Sequence, residues 1–243
     1  RNQEQIIQSG KLAAIGELAA GVAHEIGNPL SAISGYAQML SKGTQPPDTV
    51  KEYSREIEKE AGFIERIIED LLDFARPSAE GPTVLDINEM AESAMKTASA
   101  HKAFSKVEVN WNLSEDAPLV FANRKEMLQV CINLFMNAAQ SMPGGGEINV
   151  MTCIESGNVS LQVSDRGSGV DEKITGKIFD PFFTTKPPGV GTGLGLSICY
   201  RIVEKYKGRL TFHNRRNGGT TFTVSLPKAE RGGGNGAPGP EGQ

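Results

Sequence analysis

Apolar residues in the first part of the chain recur at alternating three- and four-residue intervals, which is the spacing of one face of an α-helix. A first stripe comprises Ile15, Ala19, Val22, Ile26, Leu30, Ile33, Ala37 and Leu40. A second stripe comprises Ile57, Ala61, Ile64, Ile68, Leu71 and Ala75. Breaker-rich residues from Gly43 to Asp48 separate the two. The pattern predicts a helical hairpin within residues 1–77.

Two helices cannot bury both apolar stripes against each other alone. Pairing two hairpins into a four-helix bundle buries them. We therefore expect a homodimer that forms through the hairpin.

After Arg76-Pro77 ends the second helix, residues 78–82 are a predicted linker and residues 83–228 mix helices with strands. Helices are predicted from Asp86, with Glu89 as its capping-box partner, to about Ala100, over Arg124–Met142 and over Ser197–Tyr206. Strands are predicted over Val107–Leu113, Glu147–Ile154, Val159–Ser164, Arg209–Asn214 and Thr220–Leu226. The expected fold class is α+β, with the helical hairpin followed by an α/β sandwich. The Gly- and Pro-rich residues 229–243 form a predicted disordered tail.

Charge and composition exclude some classes of function. The net charge of -4 argues against a nucleic-acid binder, which needs a concentrated basic surface. Cys131, Cys153 and Cys199 are widely spaced among apolar residues, which predicts buried reduced thiols and a cytoplasmic location. No apolar run is long enough to cross a bilayer, so no membrane contact is expected within this chain. A sensor region is expected upstream, where it can attach the protein to the inner face of the membrane.

His24 is predicted to lie opposite the apolar stripe of the first helix and so to face solvent. Asn28 lies one turn later on the same side, Glu25 is adjacent, and Pro29 can kink the helix beyond them. A solvated histidine is the plain interpretation. A neutral imidazole is also a nucleophile at cytoplasmic pH, and the Glu25 carboxylate can accept its other N–H. Asn28 can orient a water for a reverse hydrolytic step.

Asn133 and Asn137 are four residues apart on one predicted helix, so their amides share a face. They can brace a core, or an amide carbonyl can bind Mg²⁺ while triphosphate oxygens complete its shell. Asp165-Arg166-Gly167-Ser168-Gly169 follows an apolar strand. It can be a simple turn, or Asp165 can accept a hydrogen bond from an adenine amino group while Gly167 and Gly169 admit the base.

A glycine-rich run, Gly189 to Leu196, precedes the predicted helix at Ser197. Glycine there permits close approach of phosphate to a helix N-terminus. Upstream, Phe179 to Lys186 contains three phenylalanines and a lysine. These phenylalanines can be ordinary core residues, or the segment can be a lid whose Lys186 meets phosphate oxygens.

Five motifs in this order resemble those of the two-component sensor histidine kinases. The sequence His24-Glu25-Ile26-Gly27-Asn28-Pro29 resembles the phosphoacceptor motif. The four ATP-site motifs of that family are similar to Asn133–Ala138, Asp165–Gly169, Phe179–Lys186 and Gly189–Leu196. The resemblance covers about Gly10 to Pro227 and implies a dimeric phosphotransfer hairpin followed by a Bergerat-type ATP-binding domain.

The resemblance also implies roles for individual residues. His24 is the expected phosphoacceptor, Glu25 supports its attack on the γ-phosphate, and Asn28 aids dephosphorylation of the partner, a response regulator. Asn137 is expected to hold Mg²⁺ with Asn133 nearby, and Asp165 to read adenine. The other residues expected at the ATP site are Gly167, Gly169, Lys186, Gly191, Gly193, Leu194, Gly195 and Thr220. One departure is Gln140, where some relatives carry a basic residue.

Two other functions use the same residues. An ATPase or chaperone-like machine would use the nucleotide fold without phosphorylating histidine, and the complete His24 motif argues against it. A dimeric scaffold with a vestigial site would lack some of the ATP motifs, and none is missing.

Overall fold

The computed structural model describes residues 22–23, 25–75, 81–187 and 191–230. The predictions for His24, for linker residues 78–80 and for the tail from residue 231 lie outside the described residues. The chain divides into two compact units. One comprises the described parts of Arg1–Pro77 with Lys177–Ser197, and the other comprises those of Ser78–Gly176 with Ile198–Gln243.

The first unit contains the predicted helical hairpin. Helix α1 covers residues 25–41 and helix α2 covers Pro47–Ala75. Gly43 lies between them with φ +68°, and the rings of Tyr36 and Tyr53 pack across the hairpin with centroids 5.3 Å apart. Phe63 and Ile67 are buried on α2.

Part of each predicted stripe remains exposed within the single chain. Leu30 of the first stripe is 54% exposed and Ile68 of the second is 43% exposed. Met39, Val50 and Leu72 are further exposed apolar residues on the two helices. The hairpin therefore has apolar surface that its own two helices do not cover.

The second unit is built on a five-stranded mixed sheet. Its strands are β2 (Val107–Asn112), β4 (Gly146–Glu155), β5 (Asn158–Ser164), β6 (Arg209–Asn214) and β7 (Thr220–Pro227). Their order across the sheet is β2-β4-β5-β7-β6, with β2 parallel to β4 and the other neighbours antiparallel. Two short strands, β1 (Thr83–Asp86) and β3 (Leu119–Ala122), form a separate antiparallel pair.

Three helices complete the layer on the sheet. They are α3 (Ile87–Ala98), α4 (Arg124–Gln140) and α5 (Gly195–Lys205), the last of which begins in the first unit. A small apolar cavity marks where α3 and α4 pack on the sheet, since it is lined by residues of both layers. The lining residues are Ile87, Met127, Val130, Cys131, Val159, Leu161, Val224 and Leu226. The α+β architecture predicted from the sequence is confirmed.

Side-chain contacts fix the beginning of α4, the helix that carries the two asparagines. Asn123 caps it by accepting hydrogen bonds from the N–H groups of Lys125 and Glu126 at 3.0 and 3.2 Å. Glu126 also accepts from Lys205 Nζ at 2.7 Å and from the hydroxyl of Tyr206. These two contacts of Glu126 join the first turn of α4 to the end of α5 and restrain the direction of α4.

The predicted burial of the cysteines is confirmed for Cys131 and Cys199, whereas Cys153 is only partly buried. Burial raises the pKa of Cys131 and of Cys199 to about 12, so both remain thiols at neutral pH. Among the described residues, no helix combines the length and apolar character that crossing a membrane requires.

Candidate functional site

The two asparagines of α4 are half-buried, and a neighbouring helix holds one of them. The thiol of Cys199 on α5 donates to the backbone oxygen of Val130 at 3.8 Å. Burial raises the pKa of the Cys199 thiol, and a hydrogen bond from the side chain of Asn133 to that thiol lowers it in part. Asn133 is therefore oriented by α5, while Asn137 lies one turn further along α4.

Asp165 follows β5 and is buried, with a carboxylate that is only partly used. Its Oδ1 accepts hydrogen bonds from the backbone N–H of Gly167 at 2.7 Å and of Thr220 at 3.2 Å. Both of these bonds go to Oδ1, and no described residue donates to Oδ2. The two bonds to Oδ1 hold the carboxylate, so Oδ2 is a further acceptor at a fixed position.

The loop that follows Asp165 packs against the end of α4. A Cβ at position 167 would overlap the side chain of Ser141, so glycine is required for this approach. Ser141 directly follows α4, one turn beyond Asn137. The structure therefore brings the Asp165 motif close to the end of the asparagine helix.

Thr220, at the start of β7, is buried beside Asp165. Its backbone oxygen accepts from the Asp165 N–H at 2.9 Å, in addition to the bond from its own N–H to Oδ1. The preceding Gly219 has φ +88°, and a Cβ there would overlap the backbone oxygen of Asp165. Thr220, which the family resemblance places at the ATP site, therefore lies beside Asp165 in the structure.

The glycine-rich run packs on the phenylalanine segment within the first unit. Gly193 has φ +68°, and a Cβ there would overlap the backbone of Phe182, which itself has φ +65°. A Cβ at Gly191 would lie 2.9 Å from Lys186 Cδ and 3.1 Å from Thr184 Oγ1. The two motifs therefore meet closely at backbone level.

Lys186 is half-buried in this segment. Burial lowers the pKa of its ammonium group, because the charged form loses hydration. Nearby, Leu194 is buried and its backbone oxygen accepts from Ser197 Oγ at 2.8 Å, a contact in the first turn of α5, which begins at Gly195.

Glu25 and Asn28 lie on α1. Asn28 is exposed, in agreement with the sequence prediction, and Glu25 is half-buried. Ser31 Oγ donates to the Gly27 oxygen at 2.8 Å, and the helix continues through Pro29 to residue 41. The imidazole of His24 lies outside the described residues.

The sequence predictions missed two residues that contact the Asp165 motif. Arg215 donates to the Asp165 backbone oxygen at 3.0 Å, and Asn214 is hydrogen-bonded to Val170. Asn214 ends the predicted strand Arg209–Asn214, and Arg215 directly follows it. Neither residue belongs to a nucleotide-binding motif. Their position before the Asn217-Gly218-Gly219 turn was the only available signal.

Two family models match the chain. Residues 14–80 match the His Kinase A (phospho-acceptor) domain. Residues 122–230 match the histidine kinase-, DNA gyrase B-, and HSP90-like ATPase family.

Similar curated proteins include two from Escherichia coli strain K12. The signal transduction histidine-protein kinase AtoS is 35% identical over 93% of this chain. The sensor histidine kinase ZraS is 32% identical over 93% of this chain. The chain spans only 37% of the length of AtoS and 48% of that of ZraS.

Solved structures of one histidine kinase, ThkA, are also similar. Its catalytic domain is 31% identical with a TM-score of 0.56, over 61% of this chain and 97% of that one. ThkA in complex with response regulator protein TrrA is 29% identical with a TM-score of 0.75, over 94% of this chain and 66% of that one.

Proposed function

Because the chain belongs to the two-component sensor histidine kinases, we propose that it transfers the terminal phosphoryl group of ATP to its own His24. From His24 the group passes to an aspartate of a response regulator. The geometry of Asp165 carries the proposal. Its Oδ2, held in place by the bonds to Oδ1, is an acceptor suited to the exocyclic amino group of adenine.

The asparagines of α4 supply the second part of the nucleotide site. Within the described residues no group of three His, Cys, Asp or Glu side chains can hold a metal ion. A Mg²⁺ ion that takes one amide oxygen from the protein and the rest from triphosphate and water fits this donor set. Asn137 would hold it, with Asn133 beside it. When bound, the ion neutralises charge on the phosphates.

Lys186 and the glycine-rich run are proposed to bind the phosphates. A half-buried ammonium group and the backbone N–H groups at the beginning of α5 both favour an anion. Gly191, Gly193, Leu194 and Gly195 form this run, and the backbone contact of Gly193 with Phe182 joins it to the phenylalanine segment.

The proposed chemistry is an in-line displacement. A nitrogen of the neutral His24 imidazole forms a bond to the terminal phosphorus as the bond from that phosphorus to the ADP oxygen breaks. Glu25 accepts a hydrogen bond from the other imidazole N–H and stabilises the positive charge that develops on the ring. Most of the rate enhancement comes from positioning and charge neutralisation.

The proposed assembly is a homodimer. The apolar surface left exposed on α1 and α2, including Leu30 and Ile68, supports pairing of two hairpins. The complex of ThkA with a response regulator supports a partner of that class. The domain boundaries and the cytoplasmic location stay predictions from the sequence.

Radiolabel from γ-labelled ATP tests the proposal. We expect a phosphoryl adduct on the full chain that is lost in acid and kept in base, because a phosphorus–nitrogen bond to imidazole hydrolyses when the ring is protonated. ATP labelled on the α-phosphate should leave no label. An adduct that survives acid and is lost in base would be a phosphoserine or phosphothreonine, and the proposed function would be wrong.

Asn28→Ala is predicted to separate the two reactions of the hairpin. Autophosphorylation should be retained, because the exposed Asn28 amide is proposed to orient water rather than to bind ATP. Dephosphorylation of the response regulator should slow by about tenfold, which corresponds to loss of one hydrogen bond of about 1.4 kcal/mol to the attacking water. The decay of a phosphorylated regulator with each form of the kinase measures this, and an unchanged decay would remove the role from Asn28. Gln38→Ala, an exposed change further along α1, is the control.

A further inference from the structure

We propose that Arg215 and Asn214 are positioning residues that hold the Asp165 loop, residues 165–170, at both ends and so set how strongly the site selects adenine. The inference deepens the proposed function and rests on it. Both residues lie at the end of β6, at the turn that leads into β7.

Arg215 holds the first end of the loop. Its guanidinium NH1 donates to the backbone oxygen of Asp165 at 3.0 Å. Its own backbone N–H donates to the oxygen of Gly219 at 2.9 Å, which closes the turn from which the side chain extends. The side chain is half-buried, so its hydrogen bond is partly protected from competing water. The residue that carries the proposed base-reading carboxylate is thus fixed through its main chain as well.

Asn214 holds the other end of the loop. Its Nδ2 donates to the Val170 oxygen at 2.6 Å, and its Oδ1 accepts from the Val170 N–H at 2.8 Å. One amide side chain therefore satisfies both backbone groups of one residue, as a neighbouring strand would. Thr220 Oγ1 also lies 3.5 Å from Asn214 Oδ1.

Close contacts between the two holding points leave the loop little freedom. Gly169 packs on Asn214, with a Cβ position 3.2 Å from Oδ1, and Gly219 packs on the Asp165 backbone. Hydrogen bonds weaken steeply when their angle departs from linearity, so a small shift of Asp165 Oδ2 would weaken a bond to the adenine amino group. Loss of either holding contact should therefore reduce recognition of that amino group rather than of the phosphates.

The test compares two nucleotides on the full chain. ATP carries the 6-amino group, and purine riboside triphosphate lacks it and is otherwise the same. For the unmodified protein we expect ATP to bind more tightly. For Arg215→Ala we expect ATP to bind about tenfold more weakly, with little change for the analogue, so that the preference is lost. Calorimetry with Mg²⁺ measures both dissociation constants.

Three further variants test whether the loss of preference in Arg215→Ala comes from the contact with Asp165. Arg216→Ala removes the exposed neighbouring arginine of the same turn and should behave like the unmodified protein. Arg215→Lys retains a donor and should restore part of the preference. Asn214→Ala releases the other end of the loop and should reproduce the Arg215→Ala pattern, which provides an independent test if Arg215→Ala does not fold.

The outcomes separate the two proposals. If the unmodified protein binds both nucleotides equally, adenine reading by Asp165 is wrong and the positioning role is wrong with it. If the unmodified protein prefers ATP but Arg215→Ala and Asn214→Ala keep that preference, or weaken both nucleotides equally, only the positioning role is overturned.

Discussion

His24→Ala is expected to abolish incorporation of label from γ-labelled ATP. The imidazole of His24 is the proposed phosphoacceptor, and alanine in its place offers no atom that can form the bond to phosphorus. The residual signal should be that of a sample without enzyme. Time courses of labelling at saturating ATP measure it.

The other two histidines of the chain are the matched controls for this prediction. His101 caps a short 3₁₀ helix by accepting from the Ala103 N–H at 3.1 Å, and His213 lies exposed on β6. Both His101→Ala and His213→Ala should label as the unmodified chain does. His24→Ala should also keep its affinity for ATP, because Asn137 and Asp165 are unchanged. Full labelling of His24→Ala would show that the acceptor is another residue.

Asn137→Ala is expected to weaken binding of Mg-ATP by about a hundredfold. The variant removes the proposed protein ligand of the ion, and loss of a contact to a charged group costs about 1.5–3 kcal/mol, or roughly one to two powers of ten in affinity. Without Mg²⁺, the variant and the unmodified chain should bind ATP with similar, low affinity. Titration calorimetry with and without Mg²⁺ measures both quantities.

The matched control lies on the same helix. Lys125 is exposed in the first turn of α4, and Lys125→Ala should bind Mg-ATP normally. The dimer should persist in Asn137→Ala, because the proposed interface lies on α1 and α2. An Asn137→Ala chain that binds Mg-ATP as tightly as the control would remove the metal role from this residue.

The spacing of apolar residues predicted most elements of the fold, because in a long amphipathic segment that spacing distinguishes a helix from a strand. Strand β6 has the predicted bounds, and β4, β5 and β7 differ from prediction by a residue at one or both ends. Strands β1 and β3 were missed, since four residues are too few to show an alternation of apolar and polar positions. Helix α5 begins two residues before the predicted Ser197, within the glycine-rich run.

The sequence could name individual residues of the candidate site only where they belong to a recognisable motif or to a position that the family resemblance supplies. Asp165 and Thr220 were both expected, and the structure adds that the Thr220 N–H orients the carboxylate across 55 residues of sequence. Arg215 reaches Asp165 across 50 residues and Asn214 reaches Val170 across 44. Contacts of this kind arise from the pairing of β6 with β7 and of β7 with β5, and no local spacing encodes them.

The location of the transferred group tests the central claim most directly. The chain is incubated with Mg-ATP that carries heavy oxygen in its γ-phosphoryl group, digested under alkaline conditions and sequenced by tandem mass spectrometry. We predict that the peptide containing His24 gains a heavy phosphoryl group on the imidazole. A heavy phosphoryl group on any other side chain, or none on the protein while heavy phosphate is released, would contradict the account.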